Sequence, residues 1–256
     1  MKNLLLTLLL FAFIACNAQK NENVVFEKKA IPQKVSDYYQ KNKGDASPSK
    51  SIGSVKEGKL QNAKLVAFQG VNFQYFDTAS YLAGRAFVID KVKQTVVSSY
   101  KEMETVCPNR FFFIMECSNK GGGKIFPHRT HQNGMSIDYM TPLLKDKKPC
   151  YQYDTMGVSH YLLEFDNDGK LLADKNVSVD FETIAKHILA VEIAARANGL
   201  KISKVIFKIE LKDELFATES GKKLQSSGIY IVQQLTPLIN SIHDDHYHID
   251  FEKVKK

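Results

Sequence analysis

An α+β fold is predicted for this chain, on three observations. Two long stretches place apolar residues three or four apart, several short alternating runs are divided by glycine turns, and strand and helix do not alternate in the regular order that builds a parallel array. With 256 residues, 44% of them hydrophobic and 25% charged, the chain has the make-up of a globular protein with a real core.

The first 15 residues stand apart from that core. Lys2 and the apolar run over residues 4–15 have the form of an export signal, and the run is short for a bilayer crossing. Two processing patterns fit. In Phe13-Ile14-Ala15-Cys16 the cysteine would carry a lipid and anchor the protein to a membrane; Cys16-Asn17-Ala18 before Gln19 suits simple secretion. The first is favoured, and both predict an exported, periplasmic protein. Residues 16–50, rich in Lys, Gln, Ser and Asn and containing Pro32 and Pro48, read as a tether, with the folded domain over 51–256.

The elements follow in order. Ile89, Val92, Val96, Tyr100 and Met103 form the inward stripe of a helix over 88–106. Residues 111–117 make a short apolar and aromatic strand, followed by a glycine loop at 119–123. Asn167-Asp168-Gly169 is a turn sequence, predicting a hairpin between residues 161–165 and 170–173. Asp180 can cap a second helix that runs to Ala197, with Phe181, Ile184, Ile188, Val191 and Ala195 inward and Asn198-Gly199 as its stop. A further strand is expected over 205–211.

Lys2 accounts for one unit of the formal charge of +7, so the exported chain stays basic, which suits an anionic polymer as partner. Nucleic acid is not expected as that polymer, because no basic helix is interleaved with stacking aromatics and an exported protein seldom meets DNA, and the plainer reading is a solvated basic surface with no specific partner. Cys107, Cys117 and Cys150 remain after export; an oxidising compartment permits one disulfide among them, and the odd number leaves at least one unpaired. There is no C-x-x-C, hence no zinc ribbon or thioredoxin-like site, and nothing in the sequence assigns an oligomeric state.

Five of the seven histidines fall in two short segments, residues 126–138 and 242–250. Read as a strand, the second puts His246, His248 and Asp250 on one face and Tyr247, Ile249 and Phe251 on the other. In the first, Gly134 allows a tight turn after His131, and the strand that follows puts Ser136 and Asp138 opposite Ile137 and Tyr139. If the two strands are neighbours, His131, Asp138 and His248 converge as two imidazoles and a carboxylate, with the fourth position of a tetrahedral zinc ion open to water. His160 and His187 lie outside the clusters and read as ordinary surface or core residues.

His128-x-x-His131-Gln132-x-Gly134-x-x-x-Asp138 and His243-Asp244-Asp245-His246-x-His248 resemble the motifs of the penicillin-insensitive murein endopeptidases, in the wider group of zinc peptidases that includes lysostaphin, D-alanyl-D-alanine peptidases and the hedgehog signalling domain. Ser51-Ile52-Gly53, Gly58, Leu60 and the triple glycine 121–123 also resemble family segments. The resemblance implies a small antiparallel sheet flanked by helices, zinc on His131, Asp138 and His248, catalysis by His246, and supporting active-site roles for His243 and His128. It further implies a peptidoglycan substrate, cut between D-alanine and diaminopimelate. Within the same group a peptidoglycan carboxypeptidase is the alternative, and outside it a non-catalytic, zinc-containing murein-binding lipoprotein. Ile249-Asp250 stands where the family usually has Val-Arg, an exchange of charge that alters how substrate carboxylates are held. There is no H-E-x-x-H, so the glutamate base of thermolysin-like enzymes is missing, which leaves the proton to His246.

Overall fold

The computed structural model describes residues 24–254; the expected signal segment and Cys16 lie outside the described residues. The fold is α+β. Five strands form its main sheet: β1 (Phe73–Tyr75), β2 (Phe112–Ile114), β3 (Ser136–Met140), β4 (Leu200–Ile206) and β5 (His246–Lys253). Their spatial order is β4-β5-β3-β2-β1, antiparallel except for the β2–β1 pair.

The two histidine segments therefore meet as expected: β3 and β5 are adjacent at the centre of the sheet, with Asp138 directly opposite His248 and Ser136 opposite Asp250. Central placement leaves both faces of the strand pair buried, so their alternation separates a polar face from an apolar one without either facing solvent.

Three longer helices accompany the sheet: α1 (Gln33–Asn42), α2 (Asp90–Val106) and α3 (Phe181–Ala197). Each residue of the predicted inward stripes on α2 and α3 is buried. Asp180 caps α3 by accepting from the Thr183 amide, and Gly199, at φ 72°, ends it. His187 projects from α3 into the aromatic layer beneath the sheet, stacking on Tyr100 and meeting Tyr139 and Tyr247 edge-on.

Three expectations need correction. The tether over 16–50 does not extend to the start of the domain as drawn: residues 33–42 form α1 with Val35 fully buried, and Phe26 stacks on Phe111. Polar composition concealed this, because a few apolar side chains suffice to dock a short helix. Residues 157–162 form a 3-10 helix rather than the first strand of a hairpin, and only Phe165 bridges to Leu171; Lys170–Leu171 instead pairs with Asp174–Val179. Finally, β4 begins at Leu200 and ends at Ile206, earlier than the strand expected over 205–211, whose latter half turns into short helices.

A second, four-stranded antiparallel sheet holds Leu143–Lys145, Lys148–Cys150, Lys170–Leu171 and Asp174–Val179. Cys107, Cys117 and Cys150 are all free thiols, and burial pushes each of them up from its ordinary pKa.

Candidate metal centre

The loop that carries His128 and His131 is anchored from behind by the hairpin of Lys50–Gly53 and Gly58–Gln61. The Gly123 amide donates to the carbonyls of Gly58 and Gln132, and the Leu60 amide donates to the Gly121 carbonyl. Gly122 sits between these chains at φ 71°, where a side chain would meet the Leu60 nitrogen at 2.6 Å and the Lys59 Cα at 2.8 Å. The triple glycine thus lets the hairpin press directly on the residue after His131. His131 itself has φ 66°, a left-handed conformation that a non-glycine residue adopts at a cost on the order of 1–3 kcal/mol. Gly134, at φ 77°, completes the turn into β3.

Asp138 lies at the centre of the cluster and is fully buried. His248 Nδ1 is 2.7 Å from its Oδ1, His131 Nε2 is 3.2 Å from the same oxygen, and His128 Nδ1 is 3.4 Å from Oδ2. The rings of His128 and His131, and those of His131 and His248, are each 4.7 Å apart. His128, His131 and Asp138 each offer a ligand atom within 4.8 Å of the others and form a group able to hold a metal ion. His248, expected as a ligand, contacts the same Asp138 oxygen as His131 but is not in the compact group; His128, expected in support, contacts the other oxygen and belongs to it.

The donor set fits a cation. Both ring nitrogens of His131, and Asp138 Oδ2, are buried without a hydrogen-bond partner among the described residues. A buried polar group left unpaired costs about 1–3 kcal/mol. Carboxylate oxygen and neutral imidazole nitrogen offer lone pairs, which a divalent ion satisfies and a second donor residue is not there to meet.

Electrostatics prepare these groups differently. Burial would raise the Asp138 carboxyl, but His131 and His248 hold it well below the usual carboxylate range, so it is ionised. Burial lowers His131 against the pull of Asp138, which favours the neutral ring. For His248 burial is outweighed by Asp250 and Asp138, which together raise it to about 10.

His246 and His243 lie beside this cluster, their rings 4.8 Å apart. Burial lowers His246 to about 4 and, with the neighbouring His246 and His248, lowers His243 to about 3. His246 Nδ1 contacts the Asp245 carboxyl, which burial holds well above its ordinary value. His243 Nδ1 donates to the Ile239 carbonyl at 2.6 Å. His160 is a core residue, as one expected alternative had it, and its two nitrogens lie 3.0 Å from the carbonyls of Tyr153 and Asp245, bracing the chain just before β5.

Sequence reasoning missed Glu116, Arg85 and Tyr161. Glu116 Oε2 takes His128 Nε2 at 2.5 Å and Arg85 at 2.6 Å. The Tyr161 ring meets His246 edge-on at 5.5 Å, and its buried hydroxyl has no partner among the described residues. Glu116 could have been found from the apolar run 111–117, in which it is the one charged residue.

The chain matches no protein-family model and no curated protein sequence.

Proposed function

We propose that this protein is a zinc metallopeptidase that hydrolyses peptide cross-links of peptidoglycan between D-alanine and diaminopimelate. One observation carries the reading: a buried Asp138 held in its ionised form lies beside His131, whose ring nitrogens have no hydrogen-bond partner among the described residues, with His128 and His248 at its two carboxylate oxygens. Zinc would be held by His131, Asp138 and His248; when bound, it supplies Lewis-acid polarisation of a carbonyl and acidifies water.

The chain's own groups do the rest. His246, neutral at pH 7 and with its Nδ1 against the Asp245 carboxyl, is suited to accept a proton and return it to a leaving amine. His128, half-buried at the lip of the cluster between Glu116 and Asp138, and His243, on the far side of His246, orient the substrate amide. The basic chain draws the protein towards an anionic wall polymer, and an export signal with a lipid on Cys16 would hold it in the periplasm beside that substrate.

Digestion of purified cross-linked muropeptides, with and without a chelator and read by mass, tests the reading. Conversion of dimers to monomers that stops with chelator is the expected result. Trimming of stem-peptide ends alone would assign a carboxypeptidase, and zinc content without hydrolysis a murein-binding lipoprotein.

A further inference from the structure

Behind His248 the sheet builds a second row of polar groups. Lys204 on β4, Asp250 on β5 and Ser136 on β3 are paired in register straight across three adjacent strands, one step along from the row that holds His248 and Asp138. Asp250 is buried, and its Oδ1 accepts from the Ser136 hydroxyl at 2.5 Å and lies 2.7 Å from His248 Nε2. Lys204 Nζ stands 3.0 Å from the other oxygen, an ion pair. Two neighbouring strands thus hold the carboxylate that faces the back of the imidazole.

We propose that Asp250 is the positioning residue of the metal centre: it keeps the proton on His248 Nε2, so that Nδ1, the nitrogen turned towards Asp138, is the one that releases its proton to solvent and is offered to the ion. The inference rests on the zinc reading and deepens it. A ligating imidazole works through one nitrogen only, and a hydrogen bond from the other fixes both tautomer and ring orientation. The arrangement recurs across the cluster, which argues against accident. His128 Nε2 is backed by Glu116, and that carboxylate is itself held by a hydroxyl, Ser80 at 3.0 Å, and a cation, Arg85 at 2.6 Å. It also accounts for an acidic residue two positions after His248: on a strand, that residue shares the face of the histidine and reaches its far nitrogen.

Zinc titration of the full-length protein against a chromophoric chelator tests the assignment. Wild type is expected to bind zinc, Asp250→Asn to bind it about 10–100-fold more weakly, and Asp250→Glu to recover part of the loss. Glu252→Ala, exposed on the same strand, should bind as wild type does. In case Asp250→Asn does not fold, imidazole nitrogen NMR of the zinc-loaded wild type reads the tautomer directly, with a proton expected on His248 Nε2. Affinity of a folded Asp250→Asn within about twofold of wild type, or a proton found on Nδ1, would overturn the role of Asp250 and leave the metal reading standing. A wild type that takes up no zinc would overturn both.

Discussion

β3 and β5 present two buried faces, and each has a histidine packed against it, with opposite consequences. On one face His248 lies between the carboxylates of Asp138 and Asp250, which overcome burial and hold it at about 10. On the other, His187 reaches in from α3 among Tyr100, Tyr139 and Tyr247, and burial alone pulls it down to about 3. The desolvation is alike; what differs is whether fixed negative charge comes with it. Burial alone keeps a histidine neutral, and it takes the two carboxylates flanking His248 to reverse that.

The largest expected effect breaks that contrast on the face proposed to hold the metal. Binding energies of about 10–16 kcal/mol at four-ligand zinc sites assign roughly 2.5–4 kcal/mol to each ligand. His131→Ala should then lose about a hundredfold to a thousandfold in zinc affinity. His187→Gln should keep its zinc, because its ring faces the aromatic layer. Metal content after dialysis reads both, and equal retention by the two variants would erase the distinction between the faces.

His246→Ala is the next largest. It should retain zinc and lose about 10²–10⁴-fold in turnover, the usual contribution of a positioned acid or base. Loss of metal together with turnover would make His246 a ligand and remove it from the proton-transfer role.

The strands of this contrast were legible in the sequence because alternation is a local signal. Ser136 and Asp138 against Ile137 and Tyr139, and His246, His248 and Asp250 against Tyr247, Ile249 and Phe251, fall on the faces their spacing dictates. The caps of α3 and the stripes of α2 and α3 were legible for the same reason. The backing of His128 was not. Glu116 reaches it only because the chain after β2 runs on beside β3, where the Asp138 amide donates to the Glu116 carbonyl, and Arg85 joins from a segment far from both motifs. Nor does composition reveal that residues 33–42 dock through Val35, or that residues 157–162 coil tightly so that His160 can brace Asp245. Such contacts depend on which elements become neighbours, and no spacing along one segment encodes that.

Acid sharpens the comparison from the core side. His187 is neutral when folded, down to about pH 3, whereas an unfolded imidazole takes up a proton below about pH 6.5. Stability should therefore fall as the pH drops through the window from about 6.5 to 3, and be unaffected by this group above it. Between pH 7 and 4.5 the loss is about 3 kcal/mol. Urea unfolding in chelator at the two pH values should show a decline smaller by about that amount in His187→Gln than in wild type; identical declines would place the proton elsewhere.

The smallest effect concerns the residue between the two polar-face histidines in sequence. Tyr247 points away from both, and its hydroxyl is hydrogen-bonded to His187 Nδ1 at 2.6 Å. Tyr247→Phe leaves that nitrogen buried and unpaired, for a loss of about 1–2 kcal/mol in unfolding free energy at pH 7. Zinc affinity should not change, since the ring that remains still fills the aromatic layer against Tyr139. The strand's pleat puts Tyr247 on the opposite side from His246 and His248, so nearness in sequence carries no contact with the ion. A shift in zinc affinity on removing this one hydroxyl would mean that the two faces move together, and that the aromatic layer is part of the metal centre.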